Sequence, residues 1–262
     1  MAAARVEEDR AAQVQACLAT VMDPELDESV TELGFVTDVA LLDDGEVHIS
    51  FRLPTYWCAA NFAFLMADDM RCVVQALPWV SQVKVQLQEH MYAEEINRGV
   101  AVGRGFQASF GAAAEGGLES LRLTFLLKAF QRRQAALLQH LLDAGFAAET
   151  LVTLGRTALP ELAIDAEGAR LVARYLERRS VVAGELAFVD SDSRALDATS
   201  LTKYLRGLVL INVNMQFNGA LCRGLLTARY PDGHALSTPT IAAQLQSQPI
   251  RIVRRSPPVI AN

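Results

Sequence analysis

The sequence predicts an α+β protein in which a small N-terminal domain of order α-β-β-α-β is followed by a mostly α-helical C-terminal domain. Three observations predict it. Two-residue alternation of apolar side chains marks short stretches before residue 92, where three strands are therefore expected. From Leu118 onward the apolar period lengthens to that of helices. Between them, Gly99–Gly117 holds six glycines and several alanines, a composition that reads as a connector over 93–117. The domains expected are thus 1–92 and 118–262. At 262 residues, 51% hydrophobic and 21% charged, the chain is long enough for two modest cores.

The elements follow in order. Residues 7–22 place Val14, Cys17, Leu18 and Val21 on one helical stripe, so Cys17 is expected to face the core. Asp23-Pro24-Glu25 stops this helix, because the residue before a proline is pushed out of the helical region. Strands are expected over 35–42 and 46–53, joined by Asp43-Asp44-Gly45, whose glycine suits a tight hairpin. In the second strand Val47, Ile49, Phe51 and Leu53 alternate with His48, Ser50 and Arg52. A helix over 57–77 carries Phe62, Met66, Met70, Val73 and Leu77, and a third strand alternates Val83, Val85 and Leu87 with polar residues. Strand, helix and strand then form a crossover, so strands two and three should be parallel.

Past the connector, Leu118–Asp143 reads as one helix about 39 Å long that stops near Gly145. Glu167–Arg179 reads as a shorter one. Residues 199–229 fit a helix through Leu208, Ile211, Met215, Gly219, Cys222 and Leu226, although Ile211–Asn218 also alternates like a strand; the helical flanks favour helix.

Charge and composition exclude several roles. A net charge of -6 and a pI near 5.3 argue against nucleic acid or an anionic membrane as partner. The one short basic run, Arg251, Arg254 and Arg255 beside Pro257-Pro258, reads as a solvated terminus. No secretory signal or membrane-spanning run is visible, so a cytoplasmic location is expected. Gly103-Arg104-Gly105-Phe106-Gln107-Ala108 has the loose spacing of a dinucleotide fingerprint but follows no strand, and it is set aside. No hydrolase, phosphate-loop or zinc-protease motif occurs, and no acid, base and nucleophile set can be named, so the chain is not expected to be an enzyme.

The four cysteines form no C-x-x-C pair, which argues against a disulfide framework or a zinc ribbon. Cys58 and Cys72 fall 14 residues apart on one expected helix, about 21 Å distant, and cannot share a metal within one chain. Cys17 and Cys72 read as small core residues. Cys58 differs, because it follows the strand break at Pro54-Thr55 and stands at the start of a helix. Unpaired N–H groups there favour a thiolate, the form that binds metals.

Asp23-Pro24-Glu25, Leu33-Gly34-Phe35-Val36, Thr55 and Cys58, set in the α-β-β-α-β order, resemble the small domain of iron-sulfur cluster assembly factors. That family includes SufT-like proteins and the assembly protein of the phenylacetyl-CoA oxygenase cluster. The resemblance covers about the first 92 residues. It implies that Cys58 handles a metal or cluster, with Asp23 and Glu25 in the acidic loop and Thr55 beside the cysteine; for the two acids a capping turn that packs the domain is the other reading. Ala59 stands where the family usually carries proline. The cargo implied is iron or an iron-sulfur cluster, held transiently. One thiolate is too few for a cluster, which takes about four ligands, so a homodimer, a client protein or the second domain would complete the shell. Cys222 is the internal candidate, with Arg223 beside it to favour a thiolate; its other reading is a buried helix cysteine. The function so implied is a maturation factor delivering iron or a cluster to a client apo-enzyme such as an oxygenase. The alternative is a non-catalytic structural or regulatory accessory subunit bound stably to an enzyme complex.

Overall fold

The computed structural model describes residues 2–42, 44–103, 105–110 and 118–231. The basic run at Arg251, Arg254 and Arg255 lies outside the described residues. Contacts gather the chain into two compact units, one built from residues up to Leu118 together with those from Gly219 on, the other from Glu119–Asn218.

The first unit opens with helix α1 (Ala2–Ala19), which buries Val14 and Leu18 completely. Two-residue strands β1 (Met22–Asp23) and β2 (Glu28–Ser29) pair antiparallel around the turn that Pro24 forces. A three-stranded sheet follows, formed by β3 (Val36–Leu41), β4 (Glu46–Arg52) and β5 (Gln82–Gln88), with β4 central. β4 runs antiparallel to β3 and parallel to β5 in the register Val47↔Val83, Ile49↔Val85, Phe51↔Leu87. The alternation in β4 puts Val47, Ile49 and Phe51 wholly inside. Helix α2 (Ala60–Gln75) is the crossover and covers that face with Ala63, Phe64, Met66, Ala67, Met70 and Val74. Each large side chain sealed this way contributes about 1.5–3 kcal/mol.

The hairpin glycine is obligatory. Gly45 has φ +83°, and a Cβ there would lie 2.6 Å from the Trp79 carbonyl oxygen. Cys72 corrects the sequence reading: it is exposed, because the buried face of α2 centres on Met66, Met70 and Val74, which turns position 72 to the opposite side. Cys17 is half-buried and packs on the core. In the Gly/Ala-rich segment, the described residues form helices α3 (Ala93–Ala101) and α4 (Phe106–Phe110), with Phe106 meeting Phe64 edge-on and Phe110 at a tilt. The glycine spacing there follows a helix, as its rejection as a dinucleotide motif requires.

The second unit is helical. It uses α5 (Leu118–Asp143), α6 (Ala148–Thr153), α7 (Ala166–Arg179) and the first part of α8 (Leu201–Arg229), with 3-10 turns at Arg156–Leu162 and Ala198–Ser200. The Ile211–Asn218 stretch is helix within α8. Phe130, Leu137, Leu138, Leu141, Tyr175 and Phe188 form the core. Arg179 is wholly buried there, its guanidinium donating to the carbonyls of Val182 (2.8 Å), Gly184 (3.0 Å), Leu186 (2.6 Å) and Ala187 (3.1 Å). Among the described residues no helix is long and apolar enough to cross a membrane.

Candidate functional site

The first unit gathers Asp23, Glu25, Glu28, Thr55, Cys58, His90, Cys222 and Arg223 at one end of its sheet, where three loops and the last turns of α8 meet. Asp23 ends β1 and is buried. Its Oδ1 accepts the backbone N–H groups of Glu25 and Leu26, both at 2.9 Å, so the carboxylate shapes the turn it stands in. Burial, reinforced by the negative charges of Glu25 and Glu28, outweighs those two bonds and raises the carboxyl to about 6.

Cys58 lies just ahead of α2 rather than inside its first turn, and it is half-buried. Its sulfur is 3.1 Å from the Thr55 hydroxyl. Its carbonyl accepts from His90 Nε2 at 2.8 Å, while His90 Nδ1 accepts the Tyr92 backbone N–H at 3.2 Å. Those two partners select the neutral ring with its proton on Nε2. Burial, the largest influence, holds His90 below its ordinary 6.5. Met91 donates its backbone N–H to the Tyr56 carbonyl at 2.9 Å, so the two loops run side by side. These two loops expose the apolar groups Tyr56, Trp57 (72% exposed) and Met91. The residue after the cysteine, Ala59, adopts φ -58°, the angle a proline ring imposes.

α8 reaches this end from 195 residues away in sequence. Arg223 donates to Glu28 at 2.6 Å, and Gly219 lets the helix approach so closely that an added Cβ would be 3.2 Å from Glu28 Oε1. Further along, Arg229 donates to the carbonyls of Glu89 (2.9 Å) and Leu53 (3.4 Å), and Tyr230 donates to Glu89 at 3.0 Å. Cys222 is half-buried on the same core cluster as Cys58. Burial pushes its thiol up to about 11, and the charges of Asp23, Cys58 and Glu25 push the same way. Arg223 pulls it down too weakly to reverse this, since its own guanidinium is engaged by Glu28. Arg223 thus acts in the expected direction, but burial outweighs it.

Chemically, the arrangement offers two sulfurs on one core cluster and a buried carboxylate, and a cation binding at Cys222 would displace its thiol proton. Among the described residues, no group of three or more His, Cys, Asp or Glu side chains is disposed to hold a metal ion. Glu28 and Arg229 were not singled out by the sequence: they act through backbone carbonyls and ion pairs, for which no spacing rule exists.

Residues 11–87 match the profile of a family described as iron-sulfur cluster assembly protein. The chain is 30% identical over 80 residues to an uncharacterised protein of Methanocaldococcus jannaschii, covering 30% of this chain and 82% of that one. It is also 30% identical over 82 residues to the iron-sulfur protein maturation auxiliary factor YitW of Bacillus subtilis, covering 31% of this chain and 78% of that protein. No solved structure gives a significant match.

Proposed function

Because the chain belongs, through its first third, to the iron-sulfur cluster assembly protein family, we propose that it is an auxiliary maturation factor that takes up iron or an iron-sulfur cluster and hands it to a client apo-enzyme. The cargo is substrate, not a resident cofactor, and no catalytic turnover is involved. Cys58 is the transfer ligand and Cys222 the second sulfur. Asp23, Glu25, Thr55 and Arg223 support them: Thr55 as a hydrogen-bond partner of sulfur, Arg223 by fastening α8 to the acidic loop. The protein acts in the cytoplasm. The client favoured is an oxygenase, on the resemblance to the assembly protein of the phenylacetyl-CoA oxygenase cluster.

The observation that supports this reading most is the half-open setting of Cys58. The half-buried sulfur is paired with the Thr55 hydroxyl and its residue is tethered through its carbonyl by His90, while Tyr56, Trp57 and Met91 on the same two loops are exposed. A cluster takes about four ligands, and two sulfurs leave positions for the client's own cysteines. An incomplete shell suits transfer, because incoming ligands can bind before the outgoing ones leave. Exposed aromatic and methionine side chains are the residue types that anchor protein partners.

Anaerobic reconstitution with iron and sulfide tests the assignment. Cys58→Ser should lower bound iron per chain at least about tenfold, in line with the cost of losing a ligand, with an unchanged far-UV circular dichroism spectrum. Iron content equal to that of the wild type would end the assignment of Cys58.

A further inference from the structure

The outward side of α8 presents an apolar ridge that no other described residue covers. Val209, Val213, Phe217, Leu221 and Leu225 recur every four residues and are 53%, 51%, 66%, 49% and 38% exposed. Beside the second half of this ridge runs a second one of small residues at the same spacing, Ala220, Gly224 and Ala228, all exposed. A Cβ added at Gly224 would meet no atom within 4 Å, so the groove is open. Charge is absent from the whole face. The only charged residue between Gly207 and Ala228 is Arg223, and it is turned onto Glu28.

We propose that this face is the contact between two copies of the chain, the Phe217–Leu221–Leu225 ridge of each copy seated in the Ala220–Gly224–Ala228 groove of the other. A two-fold contact must be complementary to itself, and a large-residue ridge lying beside a small-residue groove on one helix meets that requirement. Ridges spaced every four residues interdigitate at a crossing near -50°, and small residues at the crossing let the backbones approach. An uncharged face favours association with its own copy over a charged partner. Covering Phe217, Leu221 and Leu225 together with the exposed groove residues beside them on both copies removes on the order of 1,000 Å² of surface, the lower edge of specific interfaces. The inference goes beyond the cargo reading and does not depend on Cys58 holding a metal.

Analytical ultracentrifugation of the full metal-free chain at micromolar concentration tests it. The wild type should sediment at twice the 28.5 kDa chain mass. Phe217→Asp, which would bury an unpaired charge, should raise the dimer Kd at least about 100-fold. Gly224→Leu should also yield monomer, while leucine's better helix propensity keeps α8 formed, so a lost dimer cannot be laid to unfolding. Thr202→Asp, on the same helix but outside the ridge, should leave the dimer intact. A wild type that sediments as monomer, or a dimer that survives Gly224→Leu, overturns the proposal.

Discussion

Replacing Asp23 by asparagine should make the metal-free protein more stable at neutral pH. The carboxyl is raised from its ordinary 3.8 to about 6, chiefly by burial, with Glu25 and Glu28 adding to it. A displacement of that size costs the ionised native state about 3 kcal/mol relative to the unfolded chain. Because the folded value lies above the unfolded one, the stabilising contribution is fully present below 3.8, declines as pH rises towards 6, and is gone at pH 7. Asparagine keeps an oxygen for the N–H groups of Glu25 and Leu26, which Asp23 accepts at 2.9 Å each, and carries no charge. The variant should therefore gain about 1–3 kcal/mol at pH 7, and the gain should vanish near pH 4. Urea titration followed by tryptophan emission measures this in the right place, since both tryptophans, Trp57 and Trp79, lie in the first unit. A variant no more stable than wild type at pH 7, or a difference independent of pH, would refute the reasoning.

Three further outcomes are expected. His90→Ala removes the donor to the Cys58 carbonyl and should cost about 1–3 kcal/mol, with iodoacetamide alkylating Cys58 several-fold faster in a mass-spectrometric time course; an unchanged rate would show that the tether does not position the sulfur. Ala59→Pro meets a backbone already at φ -58° and should stabilise the first unit by about 0.4–1 kcal/mol, read as a rise in the urea midpoint. Arg179→Met strands the carbonyls of Val182, Gly184 and Leu186 inside the second unit, leaving Ala187 only the Tyr175 hydroxyl, and should cost at least about 3 kcal/mol in thermal melts, with Arg179→Lys failing to restore it because an ammonium has three donors where the guanidinium has five.

The elements of the first unit were legible because each has a period or a stop: alternation in β4 and β5, the proline after Asp23, the glycine at position 45. The long helices were legible for the same reason, α5 at both of its ends. Side-chain facing was less so. Cys72 was read as core because valines follow it, yet two residues past Met70 is the far side of a helix whose buried face is already filled. The site was half legible. Cys58 announced itself by the strand break before it, and Cys222 by the small residues around it, which do admit α8 to the acidic loop. Arg223 lowers the Cys222 thiol as its charge dictates, but burial, which no sequence neighbour reveals, outweighs it. Nothing local foretells that Gly219–Tyr230 packs with the first unit, since that depends on pairs such as Arg223 with Glu28 that no window of sequence contains.

The buried guanidinium of Arg179 sets a rule for sequence change in the second unit. The carbonyls of Val182, Gly184, Leu186 and Ala187 are spaced around a fixed, planar fork, so adding or deleting one residue there shifts every oxygen past its hydrogen. In a scan of single-codon insertions, tolerance should collapse across that short interval and recover on either side, although the loop itself contains no strand or helix to disrupt.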